Sequence, residues 1–324
     1  MIMRESLAYQ AAPDRYAKAD LLYKRCGESG VLLPRISLGL WKGFGATRPY
    51  TDSRSMLHYA FDHGITHFDL ANNYGPPYGT AEETFGRVMD ESFRPYRDEL
   101  FIATKAGYDM WPGPYGNWGS RKYLMASIDQ SLKRMKLDYV DLFYSHRFDP
   151  HTPLDETLQA LADIVHQGKA LYAGISRWPA EAAEYAVHYL QAQGVRLLAY
   201  QGRLNLLDRA AETDGVLDVV GKERCGFMVF SPLAQGLLTS RYLDGIPADS
   251  RMRTDFTLKQ ETLTPELLVQ LHNWNNEAAA RGETLSQYAM RWVLEHPAVT
   301  SVIVGVSRLE QLKENLELID KLPR

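Results

Sequence analysis

The sequence predicts a single (β/α)8 barrel, the TIM-barrel fold of the α/β class. Short runs of β-branched and apolar residues alternate along the chain with longer segments of helical periodicity, which is typical of βα units and a parallel sheet. Eight such runs are present, and each is apolar along nearly its whole length, as expected for strands covered on both faces. A chain of 324 residues without a linker or low-complexity tract is therefore predicted to form one domain, residues 1–324.

Each element of the barrel has its own signal. The predicted strands are residues 35–40, 66–71, 100–105, 140–146, 171–176, 197–201, 226–231 and 301–306. Helices are predicted over residues 52–62, 120–136, 153–167, 179–193, 264–281 and 284–295. Ser or Pro opens several of these helices and Gly follows their last turn, which are common start and stop signals. Residues 21–34 indicate a β-hairpin that turns at residues 28–30 and plugs the N-terminal end of the barrel.

Composition narrows the classes of function. The net charge is −4, which gives no reason to expect nucleic acid or an anionic membrane as a partner. Neither a long apolar run nor an apolar leader is visible, so we expect a cytoplasmic protein. Cys26 and Cys225 are expected to be free thiols. The histidines lack metal-ligand spacing; His58 and His63, for example, do not share a helix face, and we predict no metal.

Polar side chains recur where the predicted strands end. Read in order, these ends carry Trp41, Asp69, Lys105, His146, Ser176, Gln201, Ser231 and Gly305 with Ser307. In barrels of this kind the chemistry lies at the C-terminal ends of the strands, whereas the other end serves stability. The convergence of so many polar groups on one face predicts a functional site there.

Four residues near this face have the chemistry of a proton-donor system. Tyr74 follows Asp69 in the segment FDLANNYG, while Lys105 and His146 end the next two strands. A buried ammonium would favour the phenolate, and we therefore expect Lys105 to lower the pKa of Tyr74. Asp69 would keep the lysine charged, Tyr74 would protonate a carbonyl oxygen, and His146 would orient that carbonyl. Taken singly, each residue also has a structural interpretation: an ion pair, a loop anchor or a core histidine.

These motifs resemble one family over nearly the whole chain. HFDLANNYG, IATKAG and YSHR are similar to the segments of the aldo-keto reductases that bear the catalytic Asp, Tyr, Lys and His. ATKAGYDMWPGPYG and FSPLAQGLLT narrow the resemblance to the branch of potassium-channel β-subunits and bacterial L-glyceraldehyde 3-phosphate reductases, and favour the latter. The channel subunits often carry Asn at the position of His146, which favours a working reductase.

The resemblance implies a bound NADP(H). The residues that match the family's cofactor site are Trp41, Asp69, Ser176, Arg177, Gln201, Phe230, Ser231, Pro232, Leu233, Ala234, Gly236, Arg241, Ser250, Arg251, Gly305, Ser307, Gln311, Glu314 and Asn315. Many relatives hold the 2′-phosphate with Arg at the position of Gln311, which weakens the preference for NADPH over NADH. Arg308 or Arg251 can supply that charge instead.

The expected activity is reduction of a small carbonyl compound, with L-glyceraldehyde 3-phosphate and methylglyoxal as candidates by resemblance. The predicted substrate pocket comprises Trp41, Tyr74, Trp111, His146 and Arg147. Arg147 is a candidate ligand for a phosphate or carboxylate, or else forms a salt bridge with Asp149 or Asp109.

Two other functions remain open at this level. A cofactor-binding regulatory subunit with little turnover would resemble the channel subunits, and a Schiff-base aldolase would use Lys105. By resemblance the chain can also form a homo-oligomer, a tetramer or larger.

Overall fold

Eight parallel strands close into a barrel. In this computed structural model, residues 9–248, 250–254 and 258–322 are described, apart from the side chains of residues 251 and 254. The strands of the barrel are β3 (Ile36–Gly39), β4 (His67–Asp69), β5 (Phe101–Ala106), β6 (Val140–Ser145), β7 (Ala170–Ser176), β8 (Leu197–Arg203), β9 (Gly226–Phe230) and β10 (Val299–Gly305), and β10 closes on β3. A separate antiparallel pair, β1 (Tyr23–Arg25) and β2 (Leu32–Pro34), precedes them. The predicted fold class is confirmed.

The helices between the strands cover the outside of the barrel. They are α1 (Ala19–Leu22), α2 (Tyr50–Asp62), α3 (Thr80–Val88), α4 (Arg121–Met135), α5 (Leu154–His166), α6 (Ala180–Ala192), α7 (Val216–Lys222), α8 (Arg251–Thr254), α9 (Pro265–Ala280), α10 (Leu285–Leu294) and α11 (Leu309–Glu317). The predicted start signals are present, since the Ser120 hydroxyl accepts a hydrogen bond from the Tyr123 amide at 3.3 Å.

Several helices were not predicted from the sequence, α3 and α7 among them. Helix α3 begins after Gly79 and α7 begins after Gly215, and neither has a side-chain cap. Helix α3 also contains Gly86, at which a β-carbon would lie 2.1 Å from the Arg134 carbonyl oxygen of α4. The glycine that lowers helix propensity is thus required for close helix packing.

The register of the strands aligns the polar strand ends. Asp69 pairs with Ala103, Lys105 pairs with Tyr144, and Ser176 pairs with Gln201 across neighbouring strands. These positions lie at the C-terminal ends of β4, β5, β7 and β8, so their side chains reach the same mouth of the barrel.

The hairpin of β1 and β2 closes the opposite end. Leu33 is fully buried and Cys26 is 1% exposed, and both pack with interior residues such as Leu142 and Met228. Gly226 at the start of β9 leaves room for Cys26, because a β-carbon there would lie 2.2 Å from the Cys26 sulfur. The predicted plug is confirmed, and both cysteines are free and buried as expected.

Candidate active site

A buried ion pair lies at the centre of the barrel mouth. Lys105 Nζ lies 2.5 Å from Asp69 Oδ2, and both side chains are almost completely buried. The second carboxylate oxygen, Oδ1, accepts a hydrogen bond from Gln201 Nε2 at 3.0 Å. Removing two charges from water is expensive unless their remaining donors and acceptors are satisfied. Both oxygens of Asp69 have hydrogen-bond partners here, which holds the carboxylate in place.

Lys105 donates three hydrogen bonds, all to residues of this site. Besides Asp69, Nζ donates to the Leu70 carbonyl oxygen at 2.7 Å and to the Tyr74 hydroxyl at 3.3 Å. Burial lowers the pKa of Lys105, while the adjacent Asp69 carboxylate acts in the opposite direction. The three hydrogen bonds fix the ammonium below the Tyr74 hydroxyl.

Tyr74 lies in the loop after β4, with its ring over the ion pair. The backbone holds this loop, because the Tyr74 amide donates to the Ala71 carbonyl at 3.0 Å and the Gly75 amide to the Trp41 carbonyl at 2.9 Å. Burial raises the pKa of Tyr74 well above its ordinary value, and the negative charge of Asp69 adds to this effect. The expected lowering by Lys105 is therefore wrong: removal of the phenol from water outweighs the ammonium, whose charge Asp69 largely offsets. The phenol is held protonated.

His146 completes the four predicted residues. It follows β6, is 8% exposed, and lies with its ring 5.8 Å from that of Tyr74. Burial, with the charges of Lys105, Arg177 and Arg147, lowers the pKa of His146 well below its ordinary value. The imidazole is therefore neutral, and within the described residues its buried Nδ1 has no hydrogen-bond partner. The structure thus brings the four predicted residues together.

Tyr108 belongs to this site and was not predicted. Its ring lies 4.7 Å from that of His146 at an angle of 87°. Its carbonyl oxygen accepts a hydrogen bond from the Tyr123 hydroxyl at 2.5 Å, which ties the loop after β5 to helix α4. A signal was available, since Tyr108 comes directly after the Lys105 strand in KAGYD and is a polar aromatic residue at the same mouth.

The other predicted pocket residues differ in position. Trp41 is 41% exposed and its ring lies 6.5 Å from that of Tyr74, so it borders the mouth. Trp111 packs against Tyr123 at 5.0 Å and supports the loop. Of the two alternatives for Arg147, the salt bridge to Asp149 or Asp109 does not form among the described residues. Arg147 donates instead to the Gly107 carbonyl and to Asn117 Oδ1, both at 2.7 Å.

Four of the predicted cofactor residues share the barrel mouth with the ion pair: Ser176, Arg177, Gln201 and Phe230. Ser176 ends β7, Gln201 lies near the end of β8, and Phe230 ends β9. Ser176 and Gln201 are buried, and Phe230 is partly buried with the Arg203 guanidinium 5.5 Å from its ring centroid. Arg177 is exposed and directs Nη1 to the Tyr108 hydroxyl at 2.8 Å, beside His146.

The loop after β9 has the backbone of an anion-binding turn. Ser231, Ala234, Gln235 and Gly236 all have positive φ, at 53°, 45°, 60° and 103°. Non-glycine residues in this conformation cost of order 1–3 kcal/mol each and cluster at functional sites. Left-handed residues in a turn direct successive N–H groups into a concavity suited to phosphate oxygens. The predicted segment of Ser231, Pro232, Leu233, Ala234 and Gly236 therefore fits a pyrophosphate.

Five of the predicted cofactor residues lie around the start of α11: Gly305, Ser307, Gln311, Glu314 and Asn315. Gln311 Oε1 accepts hydrogen bonds from the Ser307 amide at 2.8 Å, the Ser307 hydroxyl at 3.0 Å and the Arg308 amide at 3.2 Å. Gln311 thus holds the helix N-terminus, beside Gly305 at the end of β10. Glu314 is partly buried and Asn315 is buried one turn further along.

Of the predicted cofactor residues Arg241, Ser250 and Arg251, the first two have described side chains. Ser250 is fully buried and Arg241 is partly buried in the segment after β9. The side chain of Arg251 lies outside the described residues.

Two other kinds of feature bear on function: possible metal ligands and helices that could span a membrane. Among the described residues, one group of three potential metal ligands occurs, Glu184, His188 and Glu223 on the outer surface, where Lys222 pairs with Glu184. None of the described helices combines the length and apolarity needed to cross a bilayer.

Comparison with known proteins agrees with the geometry. The model of the aldo/keto reductase family matches residues 35–323. The chain is 51% identical over 321 residues to the L-glyceraldehyde 3-phosphate reductase of Escherichia coli (strain K12), covering 98% of this chain and 92% of the relative.

Channel subunits are more distant relatives. The identity is 34% over 310 residues to a probable voltage-gated potassium channel subunit beta of Arabidopsis thaliana, covering 93% of this chain and 92% of the relative. It is also 34%, over 322 residues, to a putative subunit of Schizosaccharomyces pombe, covering 96% and 93%. The branch indicated by the motifs is thereby confirmed. The chain belongs to the aldo/keto reductase family and is an oxidoreductase.

Proposed function

We propose that this protein reduces small aldehydes to alcohols with NADPH and that Tyr74 donates the proton. The observation that carries the proposal is the contact of Tyr74 with Lys105, 3.3 Å from hydroxyl to ammonium, above a buried and fully bonded Asp69. A protonated phenol can give its proton to a carbonyl oxygen, and the ammonium beneath it stabilises the phenolate left after proton transfer. When bound, NADPH supplies the hydride that the carbonyl carbon accepts.

His146 orients the substrate in this scheme. As a neutral imidazole it carries one N–H, which it can donate to the carbonyl oxygen without competing with Tyr74 as the acid. In this scheme Lys105 and Asp69 do not contact the carbonyl group; they hold Tyr74 in position and balance its charge. The aldolase alternative is disfavoured because an imine at Lys105 would remove at least two of the three hydrogen bonds that the buried ammonium donates.

The cofactor would lie across the barrel mouth. Ser176, Gln201 and Phe230 would hold its nicotinamide end, the loop of residues 231–236 its pyrophosphate, and the start of α11 its adenosine end. Because Gln311 already bonds to the helix N-terminus, we assign the recognition of a 2′-phosphate to the exposed Arg308. Both cysteines are free thiols, which is usual in the reducing cytoplasm, where we expect the reaction to occur.

The test is the oxidation of NADPH in the presence of glyceraldehyde 3-phosphate, glyceraldehyde and methylglyoxal, followed by absorbance of the reduced nicotinamide. We expect turnover of at least one of them, with NADPH preferred over NADH. Tight NADPH binding without turnover on this panel and on aromatic aldehydes would instead support a regulatory subunit, like the channel proteins among its relatives.

A further inference from the structure

We propose that Tyr123 is a positioning residue for the reaction, because its hydroxyl links the loop that carries Tyr74 to the loop that packs against His146. Tyr123 lies on α4 rather than on a strand of the barrel, and its side chain is fully buried. This role rests on the proposed reductase function and deepens it, since it names a residue that sets the geometry between the proton donor and the residue that orients the carbonyl.

One end of the link is Asn72, in the loop between β4 and Tyr74. Its side chain is fully buried, and Nδ2 donates to the Tyr123 hydroxyl at 2.9 Å and to the Ser127 hydroxyl at 3.3 Å. The backbone amide of Asn72 donates to the Lys105 carbonyl oxygen at 2.9 Å. Asn72 therefore joins α4 to β5, two residues before the proposed proton donor.

The other end of the link is the backbone of the loop after β5. The Tyr108 carbonyl oxygen accepts a hydrogen bond from the Tyr123 hydroxyl at 2.5 Å. The Tyr108 ring lies 4.7 Å from that of His146, and a β-carbon at Gly107 would lie 2.9 Å from the β-carbon of His146. The loop is thus in direct contact with His146, so a shift of its backbone changes the surroundings of the imidazole.

The hydrogen bonds of the Tyr123 hydroxyl have a fixed direction. The hydroxyl has one proton, which it donates to Tyr108, so it can only accept from Asn72. The amide nitrogen of Asn72 must therefore face it. A buried polar group that loses its partner costs more than an ordinary hydrogen bond contributes. Phenylalanine at this position would leave both loops without their partner on α4.

Helix α4 holds Tyr123 in place from its other side. Tyr123 lies in the first turn of the helix, where its amide donates to the Ser120 hydroxyl at 3.3 Å, and its ring lies 5.0 Å from that of Trp111. A side chain held in this way loses little further freedom when it bridges two loops. The rings of Tyr74 and His146, 5.8 Å apart, are thus positioned from one fixed point on α4.

Loss of this link should affect the reaction step more than binding. The carbonyl oxygen has to reach both Tyr74 and His146, and misplacement of reacting groups by about 1 Å costs on the order of a hundred-fold in rate. Neither Tyr123 nor Asn72 is among the predicted cofactor residues, and the proposed pyrophosphate and adenosine contacts lie in other segments, after β9 and at the start of α11. The effect is therefore expected in kcat.

The experiment replaces Tyr123 by phenylalanine, which removes the hydroxyl and keeps the buried ring. For the aldehyde that the wild type reduces best, we expect Tyr123→Phe to lower kcat by about ten- to a hundred-fold. The KM for the aldehyde and the Kd of NADPH should change by less than about three-fold. The number of NADPH molecules bound per chain should equal that of the wild type, which separates slower reaction from loss of folded protein.

The variant Asn72→Ala tests the opposite end of the same link. It removes the donor that faces the Tyr123 hydroxyl and should also lower kcat. If the two residues act through one contact, the double variant should lower kcat by no more than about two-fold beyond the larger single loss. Losses that multiply in the double variant would mean that the two side chains act separately, against the proposed link.

Two matched controls distinguish positioning from a general loss of stability. Tyr23→Phe removes a hydroxyl that donates to the Gly64 carbonyl oxygen at 2.6 Å, next to the hairpin plug. Ser127→Ala removes the second acceptor of Asn72 on the same helix and leaves the contact of Asn72 with Tyr123. We expect both to lower the urea midpoint, as Tyr123→Phe does, and to keep kcat within about two-fold of the wild type.

An NMR measurement tests the link without turnover. The Tyr108 ring current acts on the imidazole signals of His146, which the variant His146→Gln assigns. These signals should shift in Tyr123→Phe and stay in place in Tyr23→Phe and Ser127→Ala. Shifted signals in a protein that reduces no aldehyde would refute the proposed reaction and leave the link standing.

Three results would overturn the inference. One is a kcat of Tyr123→Phe within about two-fold of the wild type. Another is an equal loss of kcat in Tyr123→Phe and Tyr23→Phe, or a loss in proportion to the NADPH bound, since either would assign the hydroxyl to folding alone. The third is a His146 imidazole whose signals do not change when the Tyr123 hydroxyl is removed.

Discussion

The two ends of the barrel are built from the same strands and carry opposite chemistry. At the N-terminal end, Leu33 and Cys26 of the hairpin seal the interior with apolar contacts. At the C-terminal end, Asp69 and Lys105 bury a full pair of charges at 2.5 Å. An apolar side chain removed from water contributes roughly 1.5–3 kcal/mol, whereas each buried ion costs several kcal/mol before its partner is counted. The N-terminal end of the barrel thus stabilises the fold, whereas the C-terminal end holds the charged residues of the candidate active site.

A polar layer separates the two ends. His67 is fully buried one position below Phe68 and two below Asp69, and its Nδ1 lies 2.8 Å from the Ser37 hydroxyl, which also contacts the Ser301 hydroxyl at 2.7 Å. Burial lowers the pKa of His67 to about 4. The barrel interior therefore has three layers: the apolar plug, the polar contact of His67 with Ser37, and the ion pair at the mouth. One substitution can test each layer.

The largest effect is expected from breaking the ion pair. Lys105→Met leaves Asp69 buried and unpaired, which should reduce stability by about 3–5 kcal/mol and kcat by roughly 10²–10⁴-fold. The double variant Asp69→Asn/Lys105→Met should regain most of the stability but none of the activity. Urea unfolding and aldehyde turnover measure the two quantities. Recovery of activity in the double variant would show that the charges serve only folding.

A substitution in the hairpin plug should change stability without changing activity. Leu33→Ala removes fully buried side-chain volume and should lower the free energy of unfolding by about 2–5 kcal/mol while leaving kcat of the folded enzyme unchanged. Leu32 is a matched control, since it is 53% exposed in the same strand and its change to Ala should alter stability by less than about 0.5 kcal/mol. A fall in kcat for Leu33→Ala at saturating substrate would mean that the two ends are coupled.

His67 should make stability depend on pH. In the unfolded chain the pKa of His67 is about 6.5, whereas in the native protein it is about 4. Between these two pH values the unfolded state binds a proton at this histidine and the native state does not. Its stabilising contribution is thus complete above pH 6.5 and is lost as the pH falls toward 4, by about 2–3 kcal/mol. Urea midpoints at pH 7 and 4.5 should differ less in His67→Gln than in the wild type. An identical pH dependence would place the proton uptake elsewhere.

The sequence predicted the barrel and the four reactive residues for one physical reason. Strands of a barrel end at a common mouth, so Asp69, Lys105 and His146 at strand ends must converge, and Tyr74 follows one of them. Tyr108 was not predicted because its position beside His146 depends on the conformation of the loop after β5, which the Tyr123 hydroxyl holds. The pKa of Tyr74 was predicted in the wrong direction because burial and the ammonium oppose each other, and only distances decide between them.

The most direct test of the account is Tyr74→Phe with NADPH and a reducible aldehyde. This change removes the phenol hydroxyl and keeps the ring that packs near Trp41 and His146. We predict a fall in kcat of roughly 10²–10⁴-fold with the Kd of NADPH unchanged, whereas Tyr185→Phe on the outer surface should turn over normally. A kcat within a few-fold of the wild type would contradict the assignment of Tyr74 as the proton donor.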